Sequence, residues 1–445
     1  MEIHIKWKDK LWIMNSRERV LLSLKHQEPD RVPVDLGGTR SSNIMGIAYN
    51  KLKKYLEIEK GETRIYDIAQ QLAEPEETIL NLFQVDAVDM SRTLPPAVPS
   101  DIDWESWILP DGSPAKVPSA FSASATAITV TGTSKSKGKV GLVPDDKGGW
   151  MLREGDLVRL VMPKGGMYFD DVFHPLEKAE SKKDIDVFFE GSYDQKVSWP
   201  PLLTEEDATS LRMKSKYLHD NTSYAILGGF GGNFLETGEY LRGYKNYLVD
   251  LIRRKELIIY LQDKLVEYFK LNLKVWLDSV KDYIQIGVFG DDLGQQGGPL
   301  ISPQIYHEMI QPYEKELYRY VKRSSDLYVF FHSCGSLYAL LPDIIDAGVD
   351  IINPVQISAK DMEPTKLKRE FGDDLTFWGG GVDTQRVLGF GSPQEVSKNV
   401  RTNIEAFAPG GGFVFATVHN ILSNVPPQNI MATFDTVKKY GSYKS

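Results

Sequence analysis

The chain has 445 residues, 42% hydrophobic and 25% charged, enough for a large buried core and ordinary for a globular protein. Its net charge of -9, with no dense Lys/Arg block, argues against nucleic acid as the main partner. No run reaches the roughly 18 apolar residues of a membrane span. Cys334 is the single cysteine, which fits a reducing compartment. The opening MEIHIKWKDKLWIM has scattered lysines and no apolar core, so it does not read as a secretory leader. The expected location is cytoplasmic.

Asn15 and Glu18 have the spacing of a capping box ahead of a helix carrying Val20, Leu21, Leu22 and Leu24. The first short apolar run, 32–36, follows, and the second is 85–90. From there the pattern breaks. Residues 94–201 are rich in Pro, Gly and Ser, and the runs 149–153 and 156–163 read as a hairpin turning through Glu154 and Gly155. This stretch is expected to be a β-rich insertion that walls a substrate pocket. Its Trp150, Tyr168 and Phe169 read as core or as pocket lining.

Further apolar runs come at 224–227, 284–289, 328–331, 350–354, 375–378 and 413–418. Most are nearly continuous in apolar character, the pattern of parallel strands buried on both faces. Helical stretches separate them. Residues 241–282 read as one long amphipathic stretch without proline. Ser302-Pro303 and Ser392-Pro393-Gln394-Glu395 mark two helix starts. Eight strands alternating with helices predict an α/β fold, a closed (β/α)8 TIM barrel forming one domain over 1–445. The glycine clusters 228–232 and 379–381 match neither phosphate-loop spacing and read as close backbone approaches.

Chemistry in such a barrel sits at the C-terminal strand ends. Those ends carry Arg40, Ser91-Arg92, Asp291-Asp292, His332 with Cys334, Asn353 with Gln356, Asp383, and His419-Asn420. Side chains alternate along a strand, so His332 and Cys334 point the same way. A catalytic zinc takes three N, S or O ligands and keeps one open position. His332, Cys334 and His419 supply such a set, with Asp291, Asp292 and Asp383 as competing third ligands. The same three aspartates are candidates to position substrate or supply a proton. Arg40 is a candidate to hold a carboxylate or phosphate, with Asn353 and Gln356 beside it as substrate contacts. Arg92 reads either as an anion holder or as an ion-pair partner.

Taken together, these residues resemble the uroporphyrinogen decarboxylase superfamily, and within it the corrinoid-linked methyltransferase branch. The resemblance is carried by Arg17-Glu18-Arg19-Val20, Glu28-Pro29-Asp30-Arg31-Val32-Pro33-Val34, Gly290-Asp291-Asp292-Leu293-Gly294 and His332-Ser333-Cys334-Gly335. Asn353-Pro354-Val355-Gln356, Gly380-Gly381-Val382-Asp383-Thr384 and His419-Asn420-Ile421 complete it. It implies a TIM barrel and a methyltransferase that moves a methyl group from a small methylated substrate, such as a methoxylated aromatic, to the cobalt of a separate corrinoid protein. It implies zinc held by the His-x-Cys pair and a later cysteine. No later cysteine exists here, and His419 lies near the equivalent place. A zinc-dependent thiol methyltransferase is the alternative. A uroporphyrinogen decarboxylase fits less well, because an octacarboxylate needs an arginine-rich cleft and the corresponding place, 35–40, offers Arg40 alone. A homodimer is compatible with the resemblance.

Overall fold

A computed structural model describes residues 14–94, 103–118, 140–154, 156–166, 168–193 and 202–443. Seven parallel strands form one sheet: β1 Ala87–Asp89, β2 Ala225–Gly231, β3 Ile286–Gly290, β4 Tyr328–His332, β5 Ile351–Asn353, β6 Thr376–Trp378 and β7 Phe413–Val414. Each is hydrogen-bonded to the next in chain order. The eighth, expected over 32–36, is reduced to two parallel bridges, Val34 with Phe415 and Asp35 with Ala87. These join the two edges of the sheet and close the cylinder. The Asp35 amide donates to the Phe415 carbonyl at 2.8 Å and the Asp86 amide to the Val34 carbonyl at 2.7 Å. The fold is a (β/α)8 barrel.

Alternation divides each strand between two cores. Ala87, Ala225, Leu227, Ile286, Phe330, Ile351, Trp378 and Val414 fill the barrel interior, and Val20 and Leu24 of the helix Ser16–Leu24 pack against them from below. The alternate residues, such as Val329 and Phe331, meet the outer helices. The arginines near the N-terminus need no catalytic account. Arg19 bonds Asp30 at 2.6 Å and Asp86 at 2.7 Å, and Arg31 forks onto Asp86. The fully buried Asp86 carboxylate is thereby paired, and it also accepts the Val34 amide at 2.9 Å, clamping the closing segment to β1.

The stretch 241–282 is not one helix. It is the end of Phe234–Arg242, then Tyr244–Arg253, then Lys255–Val280. Gly243 breaks it with φ +79, a left-handed conformation that glycine adopts without steric cost. The buried Arg242 guanidinium beside it bonds Asp250 at 2.5 Å and the Ala179 carbonyl at 2.8 Å, fixing the corner. Between β1 and β2 lie the hairpin Trp104–Ile108 with Pro114–Pro118 and a four-stranded antiparallel sheet. Within that sheet Trp150–Glu154 pairs with Leu157–Met162, and Gly155 at the turn lies outside the described residues. Trp107 and Trp150 stack at a tilt, centroids 6.0 Å apart, joining the two pieces. Together with Phe169 they line a small apolar cavity of about 30 Å³. No helix among the described residues is long and apolar enough to cross a membrane.

Candidate metal centre

On β4, Phe330 lies in the barrel interior, so His332 is the next side chain to turn inward. β4 pairs His332 with Gly290 on one side and Asn353 on the other. A Cβ at Gly290 would stand 3.1 Å from the His332 Cβ, so the glycine leaves room for the imidazole. The chain then turns at Gly335, φ +82, against the Gly294 backbone. That turn leaves the Cys334 sulfur 3.6 Å from His332 Nε2. His419, from the loop after β7, completes the group: its ring centroid is 5.9 Å from that of His332. One donor atom from each of His332, Cys334 and His419 lies within 4.8 Å of the other two. A tetrahedral site with bonds of 2.0–2.3 Å has edges of about 3.5 Å, which the His332–Cys334 edge already matches.

The hydrogen bonds around the group favour a metal. The Asn353 amide nitrogen donates to the Trp378 carbonyl at 2.8 Å, which fixes the orientation of the amide. Its oxygen therefore faces His332 Nδ1 at 2.7 Å and accepts that N–H. The imidazole is held in the tautomer whose Nε2 lone pair points toward Cys334 and is free to ligate. Burial, then the neighbouring His332, pushes His419 down to about 4, so its ring is neutral at physiological pH. The Cys334 thiol is raised by burial and by Asp292 and Glu236. A divalent cation would reverse that field and favour the thiolate. The donor set is thus N, S, N with a second layer of hydrogen bonds in place.

The other expected site residues are placed differently from one another. Asp292 is at the centre: its carboxylate accepts the Cys334 amide at 2.8 Å and lies 3.7 Å from His332 Nε2. Gln356 accepts the Gly335 amide at 2.9 Å and holds Gln296 with its own amide, so it braces the cysteine turn. Asn353 is fully buried behind His332 and accepts from its Nδ1. Asp291 is also fully buried and faces away from the group. Its two oxygens accept the Leu235 and Glu236 amides at 2.5 and 2.8 Å, capping the helix Phe234–Arg242. Asp383 accepts the amides of Gln385 and Arg386 at 2.8 and 3.0 Å and shapes its own turn. Arg40 is ion-paired with Asp67 at 2.5 Å, and its charge reaches His419. Arg92 lies with Glu74 and Glu77, and lines a separate cleft of about 850 Å³.

Two residues at the site, Glu236 and Glu239, escaped the sequence reading, and a third, Tyr168, was read only as core or pocket lining. Glu236 follows β2, and its carboxylate accepts from the Asn233 amide and the Asp292 backbone. Burial, and then the Asp292 charge, pushes it up to about 7. Glu239, one helical turn on, is pushed up to about 8 by burial, Glu236 and Asp292. Its Oε1 is buried without a hydrogen-bond partner. Tyr168, from the segment after β1, is raised to about 12 by burial and by the nearby Cys334. Asn233 ahead of Glu236 was the only sequence hint, since it marks a helix start.

Residues 214–440 match the family description of uroporphyrinogen decarboxylase. The chain belongs to the uroporphyrinogen decarboxylase family. That span includes every donor of the candidate centre, together with Glu236, Glu239 and Asp292. A curated uroporphyrinogen decarboxylase of Crocosphaera subtropica is 23% identical over 301 residues, covering 63% of this chain and 79% of the relative. Among solved structures, a methyltransferase from Methanosarcina mazei superposes with a TM-score of 0.54 at 14% identity, covering 96% of this chain and 99% of that one. At that identity the likeness establishes the shared fold. The chain is a member of an enzyme family and carries an N, S, N group of donor atoms at the C-terminal rim of its barrel.

Proposed function

We propose that this protein moves a methyl group from a small methylated substrate, a methyl ether foremost, to a corrinoid carried by a separate protein. The observation that carries the reading is the convergence of His332, Cys334 and His419, with Asn353 holding the His332 tautomer. His332 Nε2, Cys334 Sγ and a His419 nitrogen would hold zinc. When bound, it supplies Lewis-acid polarisation of an ether oxygen. The chain's own groups supply the remainder. Asp292 fixes the Cys334 backbone and lies beside His332. Glu239, whose carboxyl keeps its proton up to about 8, is suited to hand a proton to a departing oxygen at neutral pH. Tyr168, from the insertion, lies near enough to Cys334 to feel its charge.

Porphyrinogen decarboxylation is disfavoured by charge. Arg40 at the rim is already paired with Asp67, and one guanidinium cannot neutralise eight carboxylates. The test is methyl transfer to a reduced corrinoid protein from a panel of methyl donors, scored with the wild type and with His332→Ala and Cys334→Ala. Transfer from a methoxy donor that both variants lose supports the reading. No transfer from any methoxy compound, or full transfer by both variants, rejects it.

A further inference from the structure

The charges around the centre bear on which molecules it accepts. A divalent ion held by one thiolate carries one surplus positive charge, and Asp292 lies 3.7 Å from His332 Nε2, placed to offset it. The cation whose charge reaches both His419 and Glu236 is Arg40. Arg40 is spent on Asp67: Nε and Nη2 both lie 2.5 Å from the same carboxylate oxygen. Asp67 is held for this contact, because its other oxygen accepts the Gln70 amide at 3.0 Å. Glu236, which feels the Arg40 charge, and Glu239 stand on one helix turn, where the buried Glu239 Oε1 has no hydrogen-bond partner. Burial raises both carboxyls, and the charge of Asp292 adds to it at each.

We infer that the site selects uncharged or cationic methoxyarenes and rejects those bearing a carboxylate, with the Arg40–Asp67 pair and the Glu236–Glu239 wall as the determinants. This rests on the methyl-ether reading and narrows its substrate class. A substrate carboxylate entering the rim meets Asp292 and Glu236 and finds Arg40 engaged. It has to share that guanidinium with the largely buried Asp67 carboxylate, whose charge opposes its own. A neutral phenol forfeits nothing. An ammonium can donate to the unpartnered Glu239 Oε1, which accepts as a carbonyl oxygen while the carboxyl keeps its proton.

Three probes of matched size test the inference: 3-methoxyphenol, 3-methoxybenzoate and 3-methoxybenzylammonium. Binding to the zinc-loaded full chain is read by calorimetry, and methyl transfer is scored separately. The phenol and the ammonium are expected to bind at least about ten-fold tighter than the benzoate. Asp67→Asn, which keeps the acceptor for Gln70 but frees Arg40, narrows that gap. Glu236→Gln narrows it from the glutamate wall and serves if the first variant misfolds. Benzoate binding equal to or tighter than the phenol overturns the inference, as does no binding of any probe. If the phenol binds tighter but no probe donates a methyl group, charge selection stands and the methyl-transfer reading falls.

Discussion

Replacing Asn353 by leucine isolates what the second layer of the centre contributes. The side chain is fully buried and makes three hydrogen bonds, to His332 Nδ1, to Ser41 Oγ and to the Trp378 carbonyl. They are not equal losses. The Ser41 hydroxyl keeps Thr39 Oγ1 at 3.0 Å. The His332 side chain is 22% exposed and can recruit water. The Trp378 carbonyl has no such recourse. One bare buried acceptor and one weakened donor cost roughly 2–4 kcal/mol of folding stability. The metal effect is separate. Without the Nδ1–H acceptor the imidazole is free to take the other tautomer, and zinc affinity falls about 10–100-fold. Competition with a chromophoric chelator measures the second effect, and urea unfolding of the metal-free protein the first. Ser41→Ala serves as control, since it leaves the His332 contact intact and should hold zinc like the wild type. If Asn353→Leu binds zinc within about two-fold of wild type but loses methoxyarene binding, Asn353 is a substrate contact, as its strand-end position first suggested, and the tautomer argument fails.

Asp291→Asn should lower stability by about 1–3 kcal/mol in urea, because an amide can accept only one of the two helix N–H groups and turns its own N–H toward the other. Its zinc affinity should be unchanged; loss of zinc without loss of stability would place Asp291 in the centre. Gly335→Ala should cost more than about 2 kcal/mol, because φ is +82 and the new Cβ would lie 2.3 Å from the Gly294 carbon. A thermal melt reads the cost, and chelator competition should show weaker zinc because the turn carries Cys334. The metal-free protein should lose stability between pH 5 and 8.5. Asp35 is raised to about 6, Glu236 to about 7, and Glu239 and Glu314 to about 8, each chiefly by burial. The folded state holds these protons where the unfolded chain has released them. Their contribution is complete below about 4 and lost as pH rises through each folded value. Asp35 alone, moved from 3.8 to about 6, accounts for roughly 3 kcal/mol. His419 works in the opposite sense, but below 6.5, so it leaves most of this window untouched. Melts that rise in temperature across the window refute the assignment.

The barrel was legible because parallel strands are buried on both faces and so appear as short apolar runs. What the runs concealed was length. The first strand survives only as the Val34 and Asp35 bridges, where neighbouring strand ends and the Arg19–Asp86–Arg31 clamp do the work of a ladder. The helix break at Gly243 was also hidden, since one glycine in an amphipathic stretch is tolerated unless tertiary contacts such as Arg242 with Asp250 fix a corner there. At the site, His332 and Cys334 follow from strand alternation alone. Glu236 and Glu239 do not. They sit in a helix whose sequence suits a solvated face, and they are buried because Asp291, 55 residues away, caps that helix and draws its first turn over the rim. Arg40 looked like an anion holder because its partner Asp67 lies 27 positions along the chain, in a contact no local pattern announces.

The donor set bears on the choice between ether and thiol chemistry. Each thiolate ligand cancels one unit of a divalent ion's charge, whereas an imidazole cancels none. One cysteine and two histidines therefore leave the centre more electrophilic than two cysteines and a histidine. Lewis-acid polarisation of a weakly basic ether oxygen needs that surplus. A thiol acceptor needs it less, because its own deprotonation, near 8.5 in water, lies within easy reach of a weaker cation. His419→Cys turns the argument into an experiment. The added thiolate should lower transfer from methyl ethers while preserving zinc binding, and a thiol acceptor, if the chain uses one, should be affected less. Equal loss on both substrates would mean that ligand charge does not set the chemistry, and the preference for ethers would have to come from the walls of the pocket alone.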